Sequence, residues 1–247
     1  MENKWPKVLI GIPTYNGKDY CLDEFIESIK KIDYPNKEII FMDNSDDLMH
    51  AEIIRKKGFN TVYLKAKDYY DKIIRSRNAI RSYFLAKDFD YLFFIDSDVM
   101  VPADALQKLV KHDKDIVSGV VYTIWTLEGQ TKIRPILFEY NDETTRKIMK
   151  TKSKTPGLHE IAACGAGCML VKRKVLAKIS FAMPEDKKTS EDYWFCYLAE
   201  KQGFKIYADT SVQCKHSIIS NSGKNVTLQL GSDGKIIAEE KEVKKLI

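Results

Sequence analysis

Two carboxylates one residue apart, Asp96 and Asp98, follow the apolar and aromatic run Tyr91-Leu92-Phe93-Phe94-Ile95. In an extended segment, residues i and i+2 point to the same side. The pair is therefore expected at the mouth of the core with its oxygens together. Hard oxygen ligands suit Mg²⁺ or Mn²⁺, and such a cation neutralises the charge of a pyrophosphate. The plainer alternative is a strand-end turn, where Asp and Ser are common in any case. Glu191-Asp192 is a second acidic pair, just inside a helix start that Ser190 is placed to cap. A carboxylate there can take the proton of an attacking hydroxyl, while acids in a first turn also complement the helix dipole. Cysteines 21, 164, 168, 196 and 214 form no CxxC pair. They are expected as buried, reduced thiols rather than zinc ligands. Neither a Ser–His–Asp order nor a Gly-x-Ser-x-Gly elbow is present.

Those residues need elements to hold them. Val8 to Ile12 is a short apolar run stopping at Pro13, as a buried parallel strand would. Apolar residues at 22, 25, 26, 29 and 32 predict a helix from Asp19 to about Ile32. Strands are expected at Glu38 to Met42, Thr61 to Leu64 and Tyr91 to Ile95, with helices over 47–57 and 69–86 between them. Repeated strand–helix–strand units imply an α/β fold with a mostly parallel central sheet and helices on both faces. In such sheets ligands bind at the carboxyl ends of the strands. Thr14-Tyr15-Asn16, Asp43-Asn44 and Asp96-Ser97-Asp98 all stand at strand ends, so one crevice is expected to collect them.

The second half is more mixed. Strands are expected at Ile116 to Tyr122 and Pro135 to Tyr140, joined by a polar loop containing Trp125 and Arg134. Cys168 to Val171 is a further strand behind the flexible Cys164-Gly165-Ala166-Gly167. A helix over Ser190 to Gln202 closes at Gly203, and Lys205 to Ala208 is a late strand. Val226 to Leu230 and Lys235 to Ala238 suggest a hairpin. Residues 1–220 are expected to be the main domain, with 221–247 an appended hairpin and charged tail.

Composition bounds the reading. The 247 residues are 44% hydrophobic and 30% charged, as in a globular protein of one α/β domain. A net charge of +5 is compatible with anionic small molecules. It is too small, and the lysines too dispersed, to argue for nucleic acid. No apolar run is long enough to span a bilayer. No signal peptide precedes the first strand, so a cytoplasmic location, with the membrane periphery as a variant, is the expectation.

Ile12-Pro13-Thr14-Tyr15-Asn16, Met42-Asp43-Asn44-Ser45, Ser76-Arg77-Asn78 and Phe94-Ile95-Asp96-Ser97-Asp98 come in an order that resembles family 2 glycosyltransferases. Gly165-Ala166-Gly167-Cys168-Met169-Leu170-Val171, Glu191-Asp192 and the late His216 continue that order. The resemblance, to a nucleotide-diphospho-sugar transferase of the A-type (GT-A) fold, covers roughly residues 7 to 217. It implies that Pro13, Thr14 and Tyr15 line the base pocket and that Asp43 accepts from base or ribose. Arg77 and Asn78 would face the donor, and Ser97 counts among the donor contacts. Asp96 would touch ribose, or the metal through water, and Asp98 would ligate the metal directly. His216 would complete the site as a neutral imidazole. Asp192 would be the base, Glu191 would hold the acceptor, and Gly165 and Gly167 would let backbone approach the sugar.

The implied reaction is a single in-line displacement with inversion, assisted by Mn²⁺ or Mg²⁺. A UDP-sugar is the preferred donor and a GDP-mannose-type donor the alternative. The acceptor is a glycan, a lipid-linked glycan or a small molecule. Where the family has a small residue and Gly around its Arg-Asn, this chain has Ser76-Arg77-Asn78-Ala79-Ile80. Trp125 and Arg134 are candidate acceptor contacts, and the tail with Val243, Leu246 and Ile247 is a candidate for homo-oligomer or membrane contact. Two rivals are a non-catalytic nucleotide-sugar-binding protein and a haloacid-dehalogenase-like phosphatase. Met100, where the phosphatase wants Thr or Val, speaks against the latter.

Overall fold

The computed structural model describes residues 5–65, 69–127, 129–142, 146–149, 152–184, 189–220 and 222–241. Its first half alternates as expected: β1 (Val8–Thr14), α1 (Leu22–Lys30), β2 (Lys37–Asp43), α2 (Met49–Lys56), β3 (Asn60–Tyr63), α3 (Tyr69–Leu85) and β4 (Tyr91–Ile95), followed by the short β5 (Val99–Met100) and α4 (Ala105–Lys111). The second half holds β6 (Ile116–Val120), β7 (Tyr122–Leu127), β8 (Gln130–Pro135), β9 (Leu137–Tyr140), β10 (Arg146–Ile148), β11 (Leu158–Ile161), β12 (Ala163–Cys164) and β13 (Cys168–Lys172). Then come α5 (Arg173–Lys178), α6 (Glu191–Lys201), β14 (Ile206–Gln213), β15 (Lys215–Ile219), β16 (Asn225–Leu230) and β17 (Ile236–Lys241).

Eight strands form the central sheet in the order β11-β14-β6-β13-β4-β1-β2-β3. The pairs β1/β2, β1/β4, β2/β3 and β6/β14 are parallel. Alternation along the strands divides the core in two. Leu9, Ile40, Leu92 and Phe94 pack with α3, α5 and α6 on one face. Val8, Ile10, Phe41 and Phe93 pack with α1, α2 and α4 on the other. A sheet buried on both faces needs such continuous apolar strands.

Two strands are reversed, the edge strand β11 and the interior β13, and the site depends on the second. β13 runs antiparallel between β4 and β6, with Cys168 opposite Ile95. The Gly165–Gly167 segment before it therefore arrives at the carboxyl edge, where Asp96 N–H donates to the Gly167 carbonyl at 3.3 Å. A second sheet, β17-β16-β15-β5, stands at the same edge. Its pairing of His216 with Val99 sets the histidine beside Asp98. The hairpin β16–β17 continues that sheet and buries Val226 and Leu228. Residues 242–247, with Val243, Leu246 and Ile247, lie outside the described residues.

Three local expectations are corrected. β1 does not stop at Pro13 but pairs Pro13 with Met42 and Thr14 with Asp43. Its ladder to β4 ends at Gly11 opposite Phe94, so the missing proline N–H removes no bond there. The helix expected from Asp19 begins at Leu22, because Asn16–Cys21 is a 3₁₀ turn. There Tyr20 Oη donates to the Ser217 carbonyl at 2.8 Å instead of continuing the helix. The loop holding Trp125 and Arg134 is the hairpin β7–β8, with Trp125 opposite Lys132 and Thr123 opposite Arg134. Alternation of Tyr122, Ile124 and Thr126 before Gly129 (φ 74) was the available signal.

Candidate functional site

At the carboxyl edge of β1, β2 and β4 a cleft of about 290 Å³ collects Pro13, Thr14, Tyr15, Asn44, Arg77, Asp96, Ser97, Asp98, Glu191, Asp192 and His216, together with Lys18, Lys72 and Ile73. Most residues expected at the site meet there from six separate stretches of chain. A larger cleft of about 650 Å³ adjoins it and shares Tyr15 and Lys18. A third cleft, bordered by Pro6, Asp90, Lys172 and Arg173, is at the opposite end of the sheet and holds none of the expected residues.

Asp96 and Asp98 both line the cleft but have different partners. The chain turns at once, with Val99 N–H donating to the Asp96 carbonyl at 2.9 Å, so the alternation of an extended strand no longer applies. Arg77 Nη2 donates to Asp96 Oδ1 at 3.0 Å. Asp98 instead pairs with the Lys18 ammonium and faces His216 Nε2 at 3.5 Å. Burial alone raises the Asp98 carboxyl, but His216 and Lys18 outweigh it and hold the group well below the usual carboxylate range. His216 Nδ1 is 2.7 Å from the Tyr122 carbonyl, which only accepts, so Nδ1 carries a proton and Nε2 is the atom turned to Asp98.

These two atoms fit a divalent cation. Ligands about 2.1 Å from one ion stand roughly 3 Å apart in adjacent positions. A backbone carbonyl on the far nitrogen is the usual device that orients a ligating histidine. Among the described residues no group of three His, Cys, Asp or Glu is assembled for a metal. The cation would thus rest on Asp98 and His216, with the remaining positions left to substrate oxygens and water.

Arg77 is not on a solvated helix face. Its side chain is 2% exposed, stands 5.7 Å from the ring centroids of both Phe94 and Phe181, and donates from Nε to Glu191 Oε1 at 3.0 Å. Burial disfavours its charge, but Asp96 and Glu191 more than offset this. Among the described residues its Nη1 has no hydrogen-bond partner. Burial pushes the Glu191 carboxyl up, against the pull of Arg77. Asp192 accepts from Ala166 N–H at 3.2 Å through Oδ2 and from Tyr193 N–H at 2.7 Å through Oδ1, which also takes the Ser190 hydroxyl. A Cβ on Gly165 would stand 3.4 Å from Asp192 Oδ2, and one on Gly167 would stand 3.2 Å from Asp96 Oδ2. Both glycines keep backbone close to the acids.

Asn78 does not line the cleft. Its amide exchanges two hydrogen bonds with Phe181, at 2.8 and 2.9 Å, and ties that segment to α3. Asp43 is fully buried and caps its own turn, accepting from Ser45 N–H at 3.0 Å and from Ser45 Oγ at 2.6 Å. Among the described residues its Oδ2 has no hydrogen-bond partner, and Asp43 does not line the cleft. Trp125 and Arg134 border neither cleft; Trp125 packs edge-on against Phe138, and Thr123, Ile124, Thr126 and Thr131 of the same hairpin face the larger cleft instead. All five cysteines are buried free thiols.

Sequence reasoning missed Lys18 and His50. Lys18 is 80 residues from Asp98, and no spacing rule links them. His50 Nε2 is 3.0 Å from Thr14 Oγ1, and its Nδ1 is 2.7 Å from Asp19 Oδ1, so three residues from separate elements form one chain ending in the cleft.

The family described as Glycosyl transferase family 2 matches residues 9–180. The crystal structure of S. aureus TarS 1-349 is similar at 18% identity with a TM-score of 0.52, over 83% of this chain and 58% of that one. The same TarS fragment in complex with UDP gives 18% identity and a TM-score of 0.51 over the same shares, 83% and 58%. A197 from STIV is 21% identical over 98% of both chains, with a TM-score of 0.48. The chain thus spans little more than half of the TarS fragment, and that likeness is one of fold. No curated protein matches the sequence.

Proposed function

The chain belongs to glycosyl transferase family 2, and we propose that it moves a sugar from a nucleotide-diphosphate donor, a UDP-sugar by preference, to an acceptor hydroxyl with inversion. One observation carries the reading. The polar ends of β1, β2 and β4, the glycine segment before β13, and the acids opening α6 are gathered around one cleft. Two acids with different partners, Asp98 beside His216 and Asp192 at a helix start, give that cleft a phosphate end and a proton-accepting end.

In this reading Pro13, Thr14 and Tyr15 hold the base, and the buried Asp43 fixes the turn after β2 through Ser45. Arg77 offers Nη1 to the donor's phosphates, and Asp96, held by Arg77 through one oxygen, keeps the other for the ribose. Asp98 and His216 would hold Mn²⁺ or Mg²⁺, which when bound neutralises the departing pyrophosphate. Asp192 takes the acceptor proton as the hydroxyl attacks. Glu191, fixed to Arg77, keeps the guanidinium and the start of α6 in register beside the acceptor. Among the described residues no helix is long and apolar enough to cross a membrane. Glycan, lipid-linked glycan and small-molecule acceptors remain proposals of equal standing.

The test is calorimetric titration of UDP, GDP, CDP and dTDP, with and without Mn²⁺, on wild type and Asp98→Asn. Binding of one nucleotide that needs both Mn²⁺ and Asp98, followed by turnover of its sugar conjugate, is expected. GDP binding would move the donor to the GDP-mannose type. Binding without turnover on any acceptor class would favour a carrier of nucleotide sugars, and no binding at all would overturn the reading.

A further inference from the structure

The Lys18 ammonium stands at the Asp98 oxygen that a cation shared with His216 would use. It pairs with Asp98 Oδ2, the same oxygen that faces His216 Nε2 at 3.5 Å. The turn that carries it is fixed on three sides. Lys18 N–H donates to the Tyr15 carbonyl at 3.0 Å, Tyr20 Oη to the Ser217 carbonyl at 2.8 Å, and the Cys21 thiol to the Ser97 carbonyl at 3.6 Å. The lysine backbone is therefore tied to both strands of the acidic site, while its side chain remains 26% exposed at the junction of the two clefts.

Asp98 is 5% exposed, and a buried carboxylate without a partner is strongly unfavourable. Lys18 supplies that partner. A divalent ion and an ammonium on one carboxylate oxygen repel each other, so a metal entering alone either binds against that repulsion or displaces Lys18 and leaves it without an anion. A nucleoside diphosphate changes this balance. It brings the oxygens that complete the metal's coordination, and it gives the displaced ammonium new acceptors within reach of a flexible four-carbon stem.

We propose that Lys18 is an internal counter-ion: it holds Asp98 until a divalent cation and a nucleoside diphosphate arrive together, then moves from the carboxylate to the diphosphate. The proposal rests on the reading of Asp98 and His216 as the cation site. It makes metal and nucleotide bind cooperatively, because each removes the obstacle to the other, and such coupling is reciprocal. It also makes Lys18 a donor contact in the loaded enzyme.

The experiment follows Mn²⁺ binding by the electron paramagnetic resonance signal of the free ion, with and without UDP or GDP. It is made on wild type, Lys18→Met, and Lys18→Gln in case the first variant fails to fold. Wild type is expected to bind Mn²⁺ weakly alone and about a hundredfold tighter with the nucleotide, near the upper end of usual coupling. Lys18→Met is expected to bind Mn²⁺ alone at least about tenfold tighter than wild type, with coupling reduced to under about tenfold. Adding Asp98→Asn to Lys18→Met should abolish that gain. Equal Mn²⁺ affinity of wild type and both Lys18 variants without nucleotide, with nucleotide-dependent Mn²⁺ binding retained, would overturn the counter-ion role and leave the cation site standing. No Mn²⁺ binding by any protein under any condition would overturn the cation site itself, and this proposal with it.

Discussion

Arg77 and Glu191 are 114 residues apart in sequence and meet through a 3.0 Å hydrogen bond, joining α3 to the first residue of α6. The same guanidinium reaches Asp96 at the end of β4. Helix, strand and helix are thus locked at the point where the cleft opens. Replacing Arg77 with Met keeps the volume but leaves Glu191, 11% exposed in its side chain, without its cation. Breaking a buried pair from one side costs about 3–5 kcal/mol. The double variant Arg77→Met/Glu191→Gln should recover part of that loss. Urea unfolding of the two single variants and the double variant measures the coupling, and strictly additive effects would contradict it.

What the sequence made legible, and what it did not, follows from how far each signal reaches. Tyr91 to Ile95 coincides with β4, and the two-faced core follows from its unbroken apolar pattern. Glu191 and Asp192 open α6 as expected, after Ser190 in extended backbone. Ser190 nevertheless bonds Asp192 rather than the helix amides, which composition could not reveal. The Asp96–Asp98 geometry differed because the extended pattern was carried one residue too far into a turn. Asn78 was assigned to the donor by its neighbour Arg77, yet successive helix residues diverge by about 100°. Lys18 and His50 were out of reach for another reason: their partners, Asp98 after β4 and Thr14 at the end of β1, are brought to them by tertiary packing and not by local periodicity.

The Thr14–His50–Asp19 chain fixes the polarity of one hydroxyl in the cleft. With the ring neutral and Asp19 accepting the Nδ1 proton, Nε2 is the bare nitrogen and Thr14 donates to it. Only oxygen lone pairs then face a bound base, which favours a ring N–H such as uracil carries and cytosine lacks. His50→Leu releases the hydroxyl to rotate. The preference for UDP over CDP is expected to fall about tenfold, equivalent to about 1.4 kcal/mol. Calorimetry on both nucleotides checks it, and an unchanged ratio would remove the relay from recognition.

Gly165 and Gly167 make separable predictions. A Cβ at Gly165 would lie 2.8 Å from Ile136 Cγ2, so the methyl must displace Ile136 and the backbone that holds Asp192. Gly165→Ala is expected to lose about 1–3 kcal/mol of stability and to lower kcat. A Cβ at Gly167 meets Asp96 Oδ2 and Val99 Cγ2, both at 3.2 Å, a milder contact on the donor side. Gly167→Ala should raise the donor KM with little change in unfolding midpoint. Identical kinetic defects in the two variants would argue against separate acceptor and donor sides.

Asp192→Asn tests the base, and the hydrogen bonds around it dictate how the result must be judged. Three donors converge on this carboxylate: Ala166 N–H on Oδ2, and Tyr193 N–H and Ser190 Oγ on Oδ1. An asparagine amide can accept on one side only, so its NH₂ must face a donor on the other, an unsatisfied contact worth about 1–3 kcal/mol. Lower stability alone therefore says nothing about catalysis. The Asn side chain also cannot take a proton, and loss of a positioned base lowers kcat by roughly 10²–10⁴-fold. Nucleotide affinity should be close to wild type, because the phosphate and base contacts proposed above lie on other residues. A variant that folds, binds its nucleotide normally and turns over at least a hundredfold more slowly, by about 10²-fold or beyond, supports Asp192 as base. Turnover at the wild-type rate would move that role to another group in the cleft, with Glu191, raised by burial, the next to test.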